Sequence, residues 1–354
     1  MNAALEFRKV DVLFPRAPGR EGAESVRQAL TRLDAGVDQA RVVVDGGVTV
    51  AVRGADLAVA PGEICVLMGL SGSGKSTLLR TANGLTPVTR GEVLLNGPDG
   101  RIDIARCDAR ALAAARRRRI SMVFQQAALL PWRTVEENVG LGLELRGESA
   151  ADRARIVAEK LELVGLADWA QRRIDELSGG MQQRVGLARA FATDADVLLM
   201  DEPFSALDPL IRCRLQNELI LLQERVRKTI LFVSHDLDEA LRIGDRIAIM
   251  DQGRIVQTGT PQDIVLRPAD PRVAEFVQHM NQTALTAAMV MRPIDPSSPC
   301  DDSWSTIPAD ADLQSLIRLR QTTGRPVVVS DAGQIVGICD TAEILQALSS
   351  RAAP

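Results

Sequence analysis

The chain has 354 residues, of which 46% are hydrophobic and 25% charged. That is a globular composition with room for one large domain and a smaller appendage, and it excludes intrinsic disorder. The formal net charge of −4, from 42 basic and 46 acidic residues, argues against a dedicated basic nucleic-acid binder, and 3% aromatics with no tyrosine leave little to stack on bases. No run approaches the ~18 apolar residues of a membrane span. The N-terminus carries Glu6, Arg8, Lys9 and Asp11 where a signal peptide would be apolar, so a cytoplasmic protein is expected. The five cysteines form no C-x-x-C pair, which disfavours zinc and a disulfide framework.

Leu5, Phe7, Val10, Val12 and Phe14 predict a strand over 4–14. A Pro/Gly/Arg-rich break follows from Pro15 to Gly22. Val26, Leu30 and Leu33 then recur at helical spacing and stop before Gly36, predicting a short amphipathic helix over Glu24–Ala35. Val48, Val50 and Val52 alternate, and Leu57 and Val59 lead to the turn Pro61-Gly62. Ile64–Met68 is a continuous apolar run, as in a strand buried on both faces. Ser121–Phe124, Val197–Met200, Ile230–Val233 and Ile247–Met250 are similar, with helical stretches at 151–164, 181–192 and 209–227. Strands alternating with helices predict a mostly parallel α/β sheet. The run Arg116–Arg119 reads as a solvated helix end leading into strand 120–124. Prolines 261, 268, 271, 293, 296 and 299 punctuate the rest, with a domain boundary expected between about 278 and 300. Beyond it a helix is expected at 313–319, a strand at 326–329, a turn at Asp331-Ala332-Gly333, a strand at 335–338 and a helix at 341–348.

Gly69-Leu70-Ser71-Gly72-Ser73-Gly74-Lys75-Ser76-Thr77 fits G-x-x-x-x-G-K-[S/T] and sits where that motif must, between a buried strand and a helix. Gly72 and Gly74 let backbone N–H groups curl round phosphate oxygens. Lys75 would reach the β- and γ-phosphates, and the Ser76 hydroxyl would face Mg²⁺. Val197–Met200 ends in Asp201 and Glu202, which places two carboxylates at the C-terminal edge of the sheet, where ligands bind in such folds. Asp201 would hold Mg²⁺ through water, and Glu202 would polarise the water that attacks the γ-phosphate.

Leu177-Ser178-Gly179-Gly180-Met181-Gln182-Gln183-Arg184 resembles the signature motif of the ATP-binding-cassette (ABC) ATPases. Further landmarks follow that family's pattern: Gln125 after Met122-Val123-Phe124, Ser205-Ala206-Leu207-Asp208, and His235 after Phe232-Val233-Ser234. The resemblance covers about residues 4–265. It implies an α/β P-loop NTPase cassette over 1–278, with a mainly parallel sheet, a helical signature subdomain at about 125–190 and an N-terminal helical insertion at about 20–45. ATP and Mg²⁺ are the implied cofactors. Phe14 stands where the family stacks an aromatic on adenine, Gln125 joins Ser76 and Asp201 at the metal, and His235 would touch the γ-phosphate and hold Glu202 and the water in line. Ser178, Gly179 and Gly180 open a helix whose N-terminus suits an anion. In the family they, with Asp208, address the ATP of a second cassette, so that two ATP molecules lie in a head-to-tail homodimer. His279 lacks any such context and reads as structural.

Within the family, residues 56–85, 206–212 and 234–240 look like the glycine betaine/L-proline and choline importer ATPases. The insertion between Phe14 and Val48 is a second pointer. The tail is a third: Arg325–Val329, Gly333 and Val336–Asp340 resemble one CBS motif, a small α+β unit within 279–354 where the subfamily usually carries two. Cys65, Asn83-Gly84-Leu85 and the short tail lean towards choline. The implied partners are a transmembrane permease, an indirectly engaged periplasmic or extracellular solute-binding protein and a second cassette, with no nucleic acid, at the cytoplasmic face of the cell membrane. Ala127–Trp132, an apolar loop beside Pro131, lies in the region that grips the permease in the family. The signature also occurs in DNA-repair and chromosome ATPases. Those insert long coiled coils or zinc modules between phosphate loop and signature, and neither heptads nor C-x-x-C pairs occur here.

Overall fold

A computed structural model describes residues 3–97, 100–205, 207–278, 286–294 and 304–344. The chain divides into two compact units, Met1–His235 with Met250–Ile255, and Asp236–Ile249 with Val256–Pro354. The first unit opens with β1 (Leu5–Pro15), α1 (Gly19–Asp34), α2 (Gln39–Asp45), β2 (Val48–Val59), β3 (Ile64–Met68), α3 (Lys75–Thr81), β4 (Arg90–Gly97) and β5 (Gly100–Asp103). It continues with α4 (Ala109–Arg118), β6 (Ile120–Val123), α5 (Val135–Arg146), α6 (Ala150–Leu163), α7 (Gly179–Ala192), β7 (Val197–Asp201), α8 (Pro209–Val226) and β8 (Thr229–Val233).

Strands β3, β8, β7 and β6 pair in that order, all parallel. Every residue of β3, β7 and β8 is buried, as their unbroken apolar runs predict for strands covered on both faces. The register aligns Leu67 and Asp201 with Val233, and Val123 with Met200. The segments that leave β3, β7, β8 and β6 therefore emerge along one edge. A second, antiparallel sheet has the order β2-β1-β4-β5. Helices α5, α6 and α7 pack on one another and start at Thr134, Ser149 and Ser178, each of which caps its helix through its hydroxyl.

The insertion expected at about 20–45 spans Gly19–Asp45 as two helices: α1 begins at Gly19 rather than Glu24, and α2 is a second helix that the periodicity does not predict. Gly22 lies inside α1 because a Cβ there would collide with the Ala17 carbonyl, so this glycine marks a close approach rather than a break. In α2 a β-branched run, Val42-Val43-Val44, is held helical by the Asp38 cap and by burial of Val42 against Leu13, Leu33 and Val48; packing overrides propensity. The arginine run is also only partly solvated. Arg116 Nε donates to the Asn83 carbonyl at 2.7 Å, and Arg119, 11% exposed, pairs with Asp196.

Strands β9 (Arg246–Asp251) and β10 (Arg254–Gly259) carry residues of both units. The rest of the second unit comprises α9 (Leu237–Ile243), α10 (Pro261–Leu266), α11 (Pro271–Gln278), α12 (Ala287–Val290), β11 (Arg292–Pro293), β12 (Thr306–Pro308), α13 (Leu313–Thr323), β13 (Val327–Asp331) and β14 (Gln334–Cys339). The last four strands form a sheet of order β11-β14-β13-β12, an α+β arrangement at the expected place. Its hairpin turns at Ala332 and Gly333, both at positive φ, as a tight two-residue connection requires. The final helix is seen over residues 341–344; its remainder, His279 and Cys300 lie outside the described residues.

Candidate functional site

Residues 69–77 leave β3 and run into α3. Gly69, Gly72 and Gly74 all have positive φ. At Gly69 a Cβ would meet the Met250 carbonyl, and at Gly74 the Ala51 carbonyl, so only glycine fits this cradle. Ser71 and Gly72 face solvent, Thr77 is half-buried, and Ser73 is buried with its Oγ unpartnered. Lys75 is 5% exposed, and its Nζ donates to the carbonyls of Gly69 at 2.8 Å and Leu70 at 3.0 Å. Burial pushes this ammonium below its ordinary pKa, against the pull of Glu202 and Asp201, so an incoming anion would relieve its desolvation.

Ser76 Oγ donates to Asp201 Oδ1 at 2.6 Å. Asp201 is fully buried, and its other oxygen accepts from Arg80 Nη2 at 3.0 Å. Next in sequence, Glu202 takes φ +47, a strained left-handed conformation that non-glycine residues adopt mainly where the surroundings enforce it. Its N–H donates to the Val233 carbonyl at 3.1 Å, and its own carbonyl accepts from the Ser205 N–H and Oγ. Its carboxylate meets two groups from neighbouring segments. Gln125 Nε2 donates to Oε2 at 3.3 Å, and His235 Nδ1 lies 3.1 Å from the same atom. Lys75, Ser76, Gln125, Asp201, Glu202 and His235 thus converge on the edge fixed by the strand register, all within the first unit.

Gln125 is held from the helical side. Gln183 Nε2 donates to the Phe124 carbonyl at 3.1 Å. Arg189, whose guanidinium is lowered by burial, donates to the carbonyls of Ala127 at 2.8 Å and Ala128 at 2.9 Å. Asn138 binds the N–H and carbonyl of Leu130. Sequence reasoning gave no role to Arg80, Ser205, Gln183 or Arg189, because their bonds are to carbonyls or partners far along the chain.

The remaining site residues stand apart. Ser178 and Gly179 are exposed, and Ser178 Oγ accepts only from the Met181 N–H of its own helix. A Cβ on Gly180 would contact Leu207. Asp208 caps α8, accepting from the Ile211 N–H at 3.0 Å. Phe14, 41% exposed, lies opposite Thr49. None of these bonds reaches the phosphate loop.

The donor set fits a magnesium nucleotide. The loop offers N–H groups and the buried, unpartnered Ser73 Oγ, while Ser76 and Asp201 form the hydroxyl–carboxylate pair suited to a hard cation. Among the described residues no cluster of three His, Cys, Asp or Glu could hold a metal alone.

Residues 52–205 match the ABC transporter family. The chain is 48% identical over 288 residues to the glycine betaine/proline betaine transport system ATP-binding protein ProV of Escherichia coli, covering 81% of this chain and 69% of that one. It is 43% identical to the glycine betaine/carnitine transport ATP-binding protein GbuA of Listeria monocytogenes, over 90% of this chain and 77% of that one. It is also 43% identical to the trimethylamine N-oxide transport system ATP-binding protein TmoW of Ruegeria pomeroyi, over 83% and 84%. Among solved structures, a dimeric ATP-binding cassette in a post-hydrolysis state bound to ADP and Pi superposes with a TM-score of 0.60 at 30% identity, covering 73% of this chain and 98% of that one.

Proposed function

The chain belongs to the ABC transporters as the ATP-hydrolysing subunit of an import system, and we propose that the solute it energises is a quaternary amine such as glycine betaine or choline. The convergence of Lys75, Ser76, Gln125, Asp201, Glu202 and His235 on one sheet edge carries the enzymatic part. The relatives carry the solute class: those named above serve glycine betaine, proline betaine, carnitine and trimethylamine N-oxide. These solutes share a methylated nitrogen, and the lean towards choline rests on the sequence features alone. Uptake of labelled choline, glycine betaine and proline betaine by cells with and without this chain tests the reading. Loss of at least one of the three on deletion is expected; unchanged uptake of all three overturns it.

In this reading the loop N–H groups and Lys75 bind the phosphates, with Phe14 against adenine. Mg²⁺, when bound by Ser76, Asp201 and Gln125, supplies positive charge to the β- and γ-phosphate oxygens. Glu202 accepts a hydrogen bond from the attacking water, and His235 holds that carboxylate in line. The water oxygen bonds to the γ-phosphorus as the bond to ADP breaks, and its proton leaves with the phosphate product. The strained Glu202 backbone, fixed by Val233 and Ser205, makes the carboxylate ready before substrate arrives.

Ser178, Gly179, Gly180 and Asp208 would complete this site in a second copy, giving a head-to-tail homodimer with two ATP. The permease would dock in a groove of 770 Å³ lined by Trp132, Arg133, Glu136, Gly140, Val157 and Ala170. Trp132, 67% exposed at its rim, is the aromatic anchor such an interface uses. No helix among the described residues is long and apolar enough to cross a membrane, in keeping with a peripheral place at the cytoplasmic face, where a solute-binding protein acts only through the permease. The tail, read as a single CBS-like unit over 279–354, would pair with its copy across the dimer, as a regulatory or plain dimerisation element.

A further inference from the structure

The chemistry just described does not call for the helices inserted between Phe14 and Val48, yet they are built as a rigid body. Ala29, Leu33 and Val42 share a buried core with Leu13, Val48 and Val50. Arg32 bonds Asp45 at 3.0 Å across the pair. Arg90 grips Asp34 with both terminal nitrogens while its Nε bonds the buried Asp11 at 2.6 Å.

From this body two arms reach one turn. Gln39, the first residue of α2, donates through Nε2 to the Gln252 carbonyl at 2.9 Å. Arg53 donates its backbone N–H to the Gly253 carbonyl at 2.8 Å and its Nη2 to the Leu33 carbonyl at the end of α1 at 3.0 Å. The turn then touches the phosphate loop, for the Gly253 N–H donates to the Ser73 carbonyl at 3.0 Å. Gln252 takes φ +45, a conformation that persists in a non-glycine residue only when neighbours hold it. Ser73 belongs to the loop, and its side chain is buried and unpartnered.

We propose that the α1–α2 insertion is a strut that holds the phosphate loop in its nucleotide-receiving form through the turn Gln252–Gly253, with Gln39 and Arg53 as its positioning residues. The proposal rests on the reading of residues 69–77 as the ATP site. Neither residue touches nucleotide in this scheme. The strut would reduce the loop's freedom before binding, and pre-organisation of this kind raises affinity without a new ligand contact.

Gln39→Glu is the sharpest test. It keeps side-chain shape, removes the donor, and places a carboxylate in the first turn of α2, where it favours the helix. In the full chain, ATP affinity should fall about threefold to tenfold, the range set by one hydrogen bond. Amide exchange over 69–76 and 250–254 should quicken in the nucleotide-free protein, while exchange over 19–45 stays at the parent rate. In the assembled transporter, KM for ATP should rise with kcat at saturation unchanged, and Arg53→Met should give the same split. Parental affinity with parental loop exchange would overturn the strut, and so would an affinity loss without faster loop exchange. If the parent chain itself bound no ATP, the assigned function would fall instead.

Discussion

The phosphate-loop side of the site and the signature segment are made of similar residues, yet the fold treats them in opposite ways. On the phosphate side, groups from four strand ends bond one another: half-buried Ser76 meets buried Asp201, and exposed Gln125 meets half-buried Glu202. On the signature side, Ser178 and Gly179 face solvent, and Ser178 bonds only within α7. In the proposed homodimer, one copy of the chain would prepare the chemistry and the signature helix N-terminus of a second copy would complete it.

Substitutions should separate the two sides. Glu202→Gln should lower ATP turnover by about 10²- to 10⁴-fold and leave nucleotide affinity within a few-fold, measured as phosphate release and by equilibrium titration. Lys75→Ala removes the buried cation and should weaken ATP binding by about 10- to 100-fold in the same titration. Ser178→Arg should do the reverse: parental affinity in the monomer, but turnover down by about tenfold or more. Parental turnover in that variant would erase the distinction between the sides.

The groove and the tail extend the comparison with smaller effects. Trp132→Ala should weaken assembly with the permease by about 2 kcal/mol while leaving the melting midpoint of the isolated chain where it was, because this side chain is exposed. A core tryptophan would instead cost about 3–5 kcal/mol of stability. In the tail, burial pushes the Cys339 thiol up to about 12. Alkylation at neutral pH should therefore reach Cys339 only when the tail sheet opens, as mass spectrometry would show.

Much of the phosphate side was legible because local sequence encodes it. A five-residue apolar run specifies a buried strand, and a glycine-rich loop after it specifies a phosphate cradle. The ends of the parallel strands then bring Asp201, Glu202 and His235 together, a consequence of topology that the alternation of strands and helices implies. The insertion was less legible. Its Val42-Val43-Val44 run has strand propensity, and the Asp38 cap together with the core shared with Leu13 and Val48 makes it helical. Arg80, Gln183 and Arg189 were silent for another reason: their partners are Asp201 and the carbonyls of Phe124, Ala127 and Ala128, and no spacing rule points to a carbonyl sixty residues away.

If two copies share two nucleotides, blocked turnover should trap the closed form, and sedimentation of the Glu202→Gln variant with and without Mg²⁺-ATP reads this out. The expected species is a Mg²⁺-ATP-dependent dimer containing two ATP that dissociates when Ser178→Arg is added. A Glu202→Gln chain that binds ATP fully and remains monomeric at high protein concentration would show that the copies do not share nucleotides.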